Sequence, residues 1–262
     1  MIEYIDSHCH LDFSEFDDDR ARVLESCLAQ GVKTILVPGV EQTQWPRLER
    51  LCTQHGQLRF AVGIHPWWIA KNLDPLEDDG TRLSEKAKDF LSSEYCLAIG
   101  ECGLDANIDV DMETQIAVLE WHLGLALEAQ LPVILHCVKA HNPMLATLNK
   151  YEGLRGVVHA FSGSEELAQQ YWRKGFYLGA GGVLSYERAN KTRNAFKSLP
   201  LEAILLETDA PDMPLSGRQG QRNSPENIPM IAQTLASLKS CELNVVASAT
   251  TGAFKKLFNT PD

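Results

Sequence analysis

Residues 132–136 read P-V-I-L-H, a short apolar stretch that ends in a histidine. Before it, Ile116, Leu119, Leu123 and Leu127 recur at the spacing of one buried helix face. The segment is therefore typical of a helix that leads into a buried strand. Where such units alternate along a chain, they indicate parallel strands connected by helices.

The same unit recurs along the whole chain, and we count eight apolar or β-branched runs. These predicted strands are Glu3 to Asp6, Thr34 to Val37, Arg59 to Val62, Leu97 to Gly100, Val133 to Leu135, Gly156 to Val158, Phe176 to Leu178 and Ile204 to Leu206. Helical signals separate them, such as the possible N-caps Ser164 and Ser224. The acidic run at residues 77–80 is predicted to be a loop rather than a domain boundary.

Eight βα units without a linker predict a single domain over residues 1–262, closed as a TIM (β/α)8 barrel. An open doubly wound sheet is the alternative architecture. It is less favoured because no G-x-G-x-x-G follows the first predicted strand.

Composition limits the classes of function. The 262 residues are 44% hydrophobic and carry a formal charge of -11, which argues against a broad basic surface for duplex DNA. A local site with a metal or a few cations could still hold an anionic substrate. Seven scattered cysteines without a C-x-x-C pair indicate reduced thiols, and no apolar run has the length of a membrane span. We expect a cytoplasmic monomer that does not bind membranes.

Polar residues gather at the predicted strand ends, where a TIM barrel carries its chemistry. His8 and His10 share one face of an extended segment, so two imidazoles point the same way. The strand-end set is His8, His10, His65, Glu101, His136, His159, Glu207 and Asp209. Five of the eight histidines belong to it; of the others, His55 and His122 are interpreted as ordinary helix-surface residues.

This convergence predicts a metal centre. Carboxylates packed together raise one another's pKa, and divalent cations relieve that repulsion. Mixed imidazole and carboxylate ligands suit Zn, Mn, Fe or Ni, with Mg less favoured. Six candidate ligands exceed the four of a structural zinc site, so two ions sharing Glu101 is the economical interpretation. The alternative is that these polar side chains only cap strand ends.

Six blocks of sequence resemble the signature blocks of the TatD family. They are S-H-C-H-L-D (7–12), G-I-H-P (63–66), G-E-C-G-L-D (100–105), P-V-I-L-H (132–136), V-V-H-A-F-S-G (157–163) and L-L-E-T-D-A-P (205–211). The segments 185–193 and 209–214 are most similar to the bacterial YjjV-like branch. The resemblance implies a metallo-dependent hydrolase of the TIM-barrel type, and members of the family are described as deoxyribonucleases.

The resemblance also implies roles for the strand-end residues. The ligands of one metal would be His8, His10, Glu101 and Asp209. The ligands of the second would be Glu101, His136 and His159. His65 would orient the substrate or stabilise the leaving group, and Glu207 would support a metal-bound imidazole. Asp209 would also act catalytically, by positioning the attacking water and taking its proton.

The expected activity is hydrolysis of phosphodiester bonds in DNA, or in another phosphodiester substrate that is single-stranded or bound at an end. Lys139, Lys191 or Arg193 could stabilise charge on the phosphate. Trp67 and Trp68 could stack unpaired bases, although a packed loop is slightly favoured for them. The family usually has Arg two residues after the fifth-strand histidine, whereas this chain has Val138, followed by Lys139. This departure weakens the inference of a nuclease unless Lys139 substitutes. An H-x-H pair with later His, His and Asp serves other hydrolases equally well, so an amidohydrolase-like enzyme that cleaves C–N or small ester bonds is the alternative. A barrel that binds metal without turnover is a further one.

Overall fold

The computed structural model of the protein describes residues 2–72 and 81–260, which contain eight strands and ten α-helices. The strands are β1 (Tyr4–Asp6), β2 (Val32–Pro38), β3 (Leu58–Val62), β4 (Cys96–Asp105), β5 (Val133–Val138), β6 (Gly156–Val158), β7 (Phe176–Ala180) and β8 (Ile204–Leu206). The helices are α1 (Arg20–Ala29), α2 (Trp45–Gln54), α3 (Ile69–Asn72), α4 (Thr81–Leu91), α5 (Met112–Ala129), α6 (His141–Leu148), α7 (Glu165–Arg173), α8 (Asn190–Ser198), α9 (Ile228–Lys239) and α10 (Leu243–Phe258). The acidic loop predicted at 77–80 lies outside the described residues.

All eight strands belong to one sheet in the order β1-β2-β3-β4-β5-β6-β7-β8. The pairs β1–β2, β3–β4, β4–β5 and β7–β8 are parallel. Helices alternate with the strands, as the apolar runs predict. The chain therefore has the α/β architecture of a (β/α)8 TIM barrel, which confirms the predicted fold class.

The chain divides into two compact units, and the first comprises residues 1–37 and 157–262. In this unit β1 and β8 run side by side, and the Ser7 N–H donates to the Leu206 carbonyl at 2.9 Å. Helices α9 and α10 pack against these strands through apolar faces that include Ile231, Leu235 and Phe254. This packing supports the loops that follow β1 and β8.

The second unit comprises residues 38–156 and contains β3, β4 and β5. β4 extends to Asp105, five residues beyond the predicted end at Gly100, and its pairing with β5 is irregular between Ile99 and Cys102. Glu101 therefore lies inside an irregular strand rather than after its end. The Gly-Glu-Cys-Gly sequence does not predict this extension, because glycine is depleted in strands and weakens a strand interior.

The buried face of α5 differs from the face that the apolar residues predict. Leu127 is 40% exposed, whereas Gln115, Val118, Leu119, His122, Leu123 and Ala126 are buried. The buried face thus combines two polar residues with the apolar ones. On α1, Leu28 is also 40% exposed, whereas Val23, Leu24 and Cys27 are buried.

Two other features agree with the sequence. The Ser164 and Ser224 hydroxyls accept hydrogen bonds from backbone N–H groups at the starts of their helices. All seven cysteines, each in the described part of the chain, are free thiols. Among the described residues, no helix combines the length and the apolar character needed to cross a membrane.

Candidate metal centre

The first unit brings together His8, His10, His159, Glu207 and Asp209, which we call the first cluster. The Nε2 atoms of His8 and His10 are 3.3 Å apart, and each lies 3.5 Å from Asp209 Oδ1. The rings of His8 and His159 stack with centroids 3.9 Å apart. The structure therefore places the predicted first-strand and eighth-strand ligands within reach of one ion.

Asp6, to which sequence analysis assigned no role, fixes the backbone of this cluster. Its buried carboxylate accepts hydrogen bonds from the N–H of His8 at 3.2 Å, from the N–H of Thr208 at 3.0 Å and from the Thr208 hydroxyl at 2.6 Å. The Asp209 N–H in turn donates to the carbonyl of His8 at 2.8 Å. Asp6 therefore holds the segments after β1 and β8 side by side.

Asp209 has a left-handed backbone, with φ of +57°, which Asp tolerates better than most residues. Burial alone would raise the pKa of its carboxyl group. The imidazoles of His10, His8 and His159 outweigh burial and hold that pKa below its usual value. The carboxylate is thus ionised at neutral pH, as a metal ligand or a proton acceptor must be.

Glu207 takes a different position in the first cluster. Its Oε1 accepts a hydrogen bond of 2.5 Å from the backbone N–H of Ala160, next to His159. One ligand atom each from His8, His159 and Glu207 also lie within 4.8 Å of one another. A side chain at Gly179, on the neighbouring strand, would collide with the Glu207 carboxylate, so that glycine provides the space for it.

The second unit brings together His65, Glu101, Asp105 and His136, which we call the second cluster. His136 Nδ1 lies 3.0 Å from Glu101 Oε1, and its Nε2 lies 3.1 Å from Asp105 Oδ2. His65 Nε2 lies 3.3 Å from the same oxygen of Glu101. Ligand atoms of His65, Glu101 and His136 are all within 4.8 Å of one another.

The electrostatics of the second cluster favour cations. Burial opposes a positive charge on His136, but the carboxylates of Asp105 and Glu101 outweigh burial and raise the pKa of its imidazole to about 9. Gly103, with φ of +153°, passes so close to the His136 backbone that any side chain there would clash. The G-E-C-G-L-D sequence thus allows β4 and β5 to approach closely where Glu101 and His136 meet.

The hydrogen bonds of His65 determine which of its nitrogens carries a proton. Its Nδ1 accepts from the backbone N–H of Trp67 at 3.1 Å, so in the neutral ring the proton is on Nε2. That Nε2–H points toward Glu101. His65 is therefore a hydrogen-bond donor at this edge of the cluster, and its role toward substrate stays a prediction.

His122 was wrongly interpreted as a helix-surface residue. It is fully buried on α5, where its Nε2 accepts a hydrogen bond of 3.0 Å from the N–H of Ile64, beside His65. Its Nδ1 donates to the Val118 carbonyl at 2.7 Å. Burial lowers the pKa of this imidazole to about 4, so the ring is neutral at pH 7. The 3.6-residue periodicity of α5 could have revealed this position, because 115, 119 and 122 share one face.

We expect His122→Ala to lower the free energy of unfolding by roughly 1 to 3 kcal/mol, because it leaves the buried N–H of Ile64 without an acceptor. His122→Gln can keep an acceptor and should lose less. Thermal melts of both variants measure this difference. Equal loss in the two would show that the Ile64 hydrogen bond is not what His122 contributes.

The predicted substrate-contact residues are placed differently from one another. Lys139 is exposed, with a left-handed φ of +51°, and Lys191 is exposed at the start of α8. Arg193 donates instead to the carbonyl of Leu184, which it supports. Trp67 is 62% exposed and Trp68 is half-buried. Of the basic candidates, the two lysines are therefore the ones with exposed side chains.

Comparison with known proteins identifies the family. The model of "TatD related DNase" matches residues 5–259. The chain is 38% identical to the uncharacterized metal-dependent hydrolase YjjV of Escherichia coli K12 over the full length of both. It is 31% identical to the uncharacterized metal-dependent hydrolase YabD of Bacillus subtilis 168, over 97% of this chain and 98% of that protein.

A solved structure gives the same result. The crystal structure of YjjV, the TatD homologue of Escherichia coli, matches with a TM-score of 0.91 and 37% identity over 98% of each chain. The similarity to YjjV therefore holds for both sequence and fold, as the resemblance of the six sequence blocks implies. The chain is a metal-dependent hydrolase that belongs to the TatD family.

Proposed function

We propose that the chain hydrolyses phosphodiester bonds with the help of two divalent metal ions, as a deoxyribonuclease acting on single-stranded DNA or on DNA ends. The observation that carries the proposal is the pair of buried clusters in which imidazoles and carboxylates meet within 4.8 Å. Buried ionisable groups at such density are costly unless a cation or a partner compensates them. The match to the TatD related DNase model supports a nucleic acid as the substrate.

The donor set fits divalent metals. Imidazole nitrogen and carboxylate oxygen together suit Zn, Mn, Fe or Ni better than Mg. Following the family resemblance, we propose two ligand sets. One ion would be held by His8, His10, Glu101 and Asp209. The other would be held by Glu101, His136 and His159. Bound divalent ions would supply Lewis acidity toward the phosphoryl oxygens and lower the pKa of a coordinated water.

The chain's own residues would then handle protons and position. Asp209 is ionised and close to two imidazoles, so its carboxylate would orient the attacking water and take its proton. The water oxygen forms the new P–O bond as the bond to the leaving oxygen breaks. His65, whose Nε2 carries a proton, would donate a hydrogen bond to that leaving oxygen. Glu207 would hold His159 in place through the backbone N–H of Ala160.

We also propose that residues 1–262 act as one catalytic domain, because a single family model spans residues 5–259. Lys139 would supply charge near the phosphate where relatives usually carry Arg at position 138. It would do so as a point charge and not as a planar fork. We therefore expect the enzyme to accept several phosphodiesters rather than to select one phosphate geometry strictly.

The proposed activity is tested on metal-supplemented protein with a panel of substrates. The panel compares single-stranded DNA, duplex DNA, RNA, a small phosphodiester, a carboxylic ester and an N-acyl amide at equal concentration. We expect the highest kcat/KM on single-stranded DNA and none above background on the amide. Faster turnover of the amide or the carboxylic ester would replace the proposal by the amidohydrolase-like alternative.

A further inference from the structure

The Trp67 side chain is exposed to solvent and yet anchored through its indole N–H. Its side chain is the most exposed large apolar one among the described residues, at 62%. Its indole Nε1–H nevertheless donates to Asp105 Oδ2 at 2.9 Å, and Asp105 is buried. The ring also stacks beside Trp68, with centroids 6.1 Å apart and planes at 21°. A flat aromatic surface is thus held at one edge and open to solvent over most of its area.

Asp105 is itself rigidly held. The oxygen that accepts from Trp67 also accepts from His136 Nε2 at 3.1 Å, and the other oxygen accepts from the Asn107 N–H at 2.8 Å. Its backbone N–H donates to Gln115 Oε1 at 2.7 Å, and its carbonyl accepts from Gln115 Nε2 at 3.1 Å. One fixed carboxylate therefore connects the exposed indole to His136.

The charge of the chain indicates what such a surface would bind. With a formal charge of -11, attraction to phosphates contributes little to nucleic-acid affinity outside the metal centre. Stacking on aromatic side chains does not depend on protein charge and requires bases that are not already stacked in a duplex. A single-stranded segment or a frayed end offers such bases.

We propose that Trp67, Asp105 and His136 form a recognition relay, in which the Trp67 indole stacks on an unpaired nucleobase of the substrate and Asp105 positions both that indole and the imidazole of His136. The proposal rests on the proposed function and names the part of the substrate that the second unit reads. Asp105 acts as a positioning residue. With a metal in place of the proton on Nδ1, the nitrogen that faces Glu101, Asp105 would hold the remaining ring proton on Nε2.

Binding without turnover tests the stacking step. The dissociation constant is measured by fluorescence anisotropy with Mn2+ present, for a hydrolysis-resistant phosphorothioate single-stranded oligonucleotide and for the same chain with abasic sites throughout. We expect Trp67→Leu to weaken binding of the oligonucleotide about 5- to 150-fold and to leave the abasic chain unaffected. Trp67→Phe, which keeps a ring but loses the N–H bond to Asp105, should weaken binding by a smaller factor than Trp67→Leu. Trp172→Phe, on α7, is the matched control and should change neither constant.

Metal affinity tests the positioning step. Mn2+ is titrated by isothermal calorimetry, without DNA, into protein from which both metal and chelator have been removed. The affinity for Mn2+ should be about 10- to 100-fold weaker in Asp105→Asn than in the wild type. Trp67→Phe, which keeps an aromatic ring but loses the indole N–H that Asp105 accepts, should weaken it in the same direction by a smaller factor. This second variant keeps the test valid if Asp105→Asn does not fold.

Two results would overturn the relay. An unchanged ratio of oligonucleotide to abasic binding in Trp67→Leu removes the stacking step. Wild-type Mn2+ affinity in both Asp105→Asn and Trp67→Phe removes the positioning step. Neither measurement requires cleavage, so a protein that binds bases through Trp67 but hydrolyses no phosphodiester would refute the proposed function and keep the relay.

Discussion

Replacing Asp209 by Asn is expected to lower turnover of the best phosphodiester substrate by roughly 100- to 10,000-fold, the usual contribution of general-base catalysis. The change is nearly isosteric, and Asn also tolerates the left-handed backbone found at this position. The protein should therefore fold normally. His8, His10 and the other proposed ligands still offer donors to the metal, so the loss falls on kcat more than on substrate binding. Steady-state kinetics with saturating metal measure both parameters.

Glu207→Gln is the matched comparison, because it makes the same chemical change to the other carboxylate of the first cluster. An amide oxygen can still accept from the N–H of Ala160, and we expect a smaller loss of roughly 10- to 100-fold. Near wild-type turnover in Asp209→Asn would show that the proposed site is wrong. A greater loss in Glu207→Gln would exchange the roles of the two acids, which the alternative grouping of His8, His159 and Glu207 permits.

Removing divalent metal is expected to abolish turnover and to lower the melting temperature. Each cluster packs buried imidazoles against carboxylates, and only the folded chain assembles them. A ligand that binds only the folded state stabilises it by about 2.7 kcal/mol at a hundredfold excess over its dissociation constant. Calorimetric melts of chelated protein, and of the same protein after addition of Mn or Zn, measure the effect. Identical melts before and after chelation, on protein shown to contain metal, would contradict the expectation.

The fold was predictable because its signals are local. Each strand needs only a few apolar residues followed by glycine or a polar residue, and all eight predicted runs overlap observed strands. β4 shows the limit of this pattern. Its extension to Asp105 depends on the close approach of β5 to Gly103. Such an approach is set by tertiary packing and cannot be predicted from one segment alone.

The ligand candidates were predictable for a related reason. Side chains that follow a strand need not fill the core. Histidines and carboxylates concentrated at these positions therefore indicate a functional site. The buried polar residues that hold these candidates were not found. Asp6, Asp105 and His122 each look like a strand-end or helix-surface residue until their partners Thr208, Trp67 and Ile64 are known.

The helix faces illustrate the same limit. On α5 the apolar residues alone suggested a face through Leu127, but the buried side includes Gln115 and His122. These two polar residues are buried because they bind backbone groups of Asp105 and Ile64. Hydrophobicity cannot identify a polar residue whose burial depends on a partner distant in sequence.

We expect hydrolysis of a phosphodiester to depend on metal bound by these clusters, and one titration measures this dependence. Mn2+ is added stepwise to chelated protein while bound metal and hydrolysis of single-stranded DNA are recorded in the same samples. The proposal predicts no hydrolysis without metal and a rise to a plateau when two ions are bound per chain. Full hydrolysis by the metal-free protein, or none when both ions are bound, would contradict it.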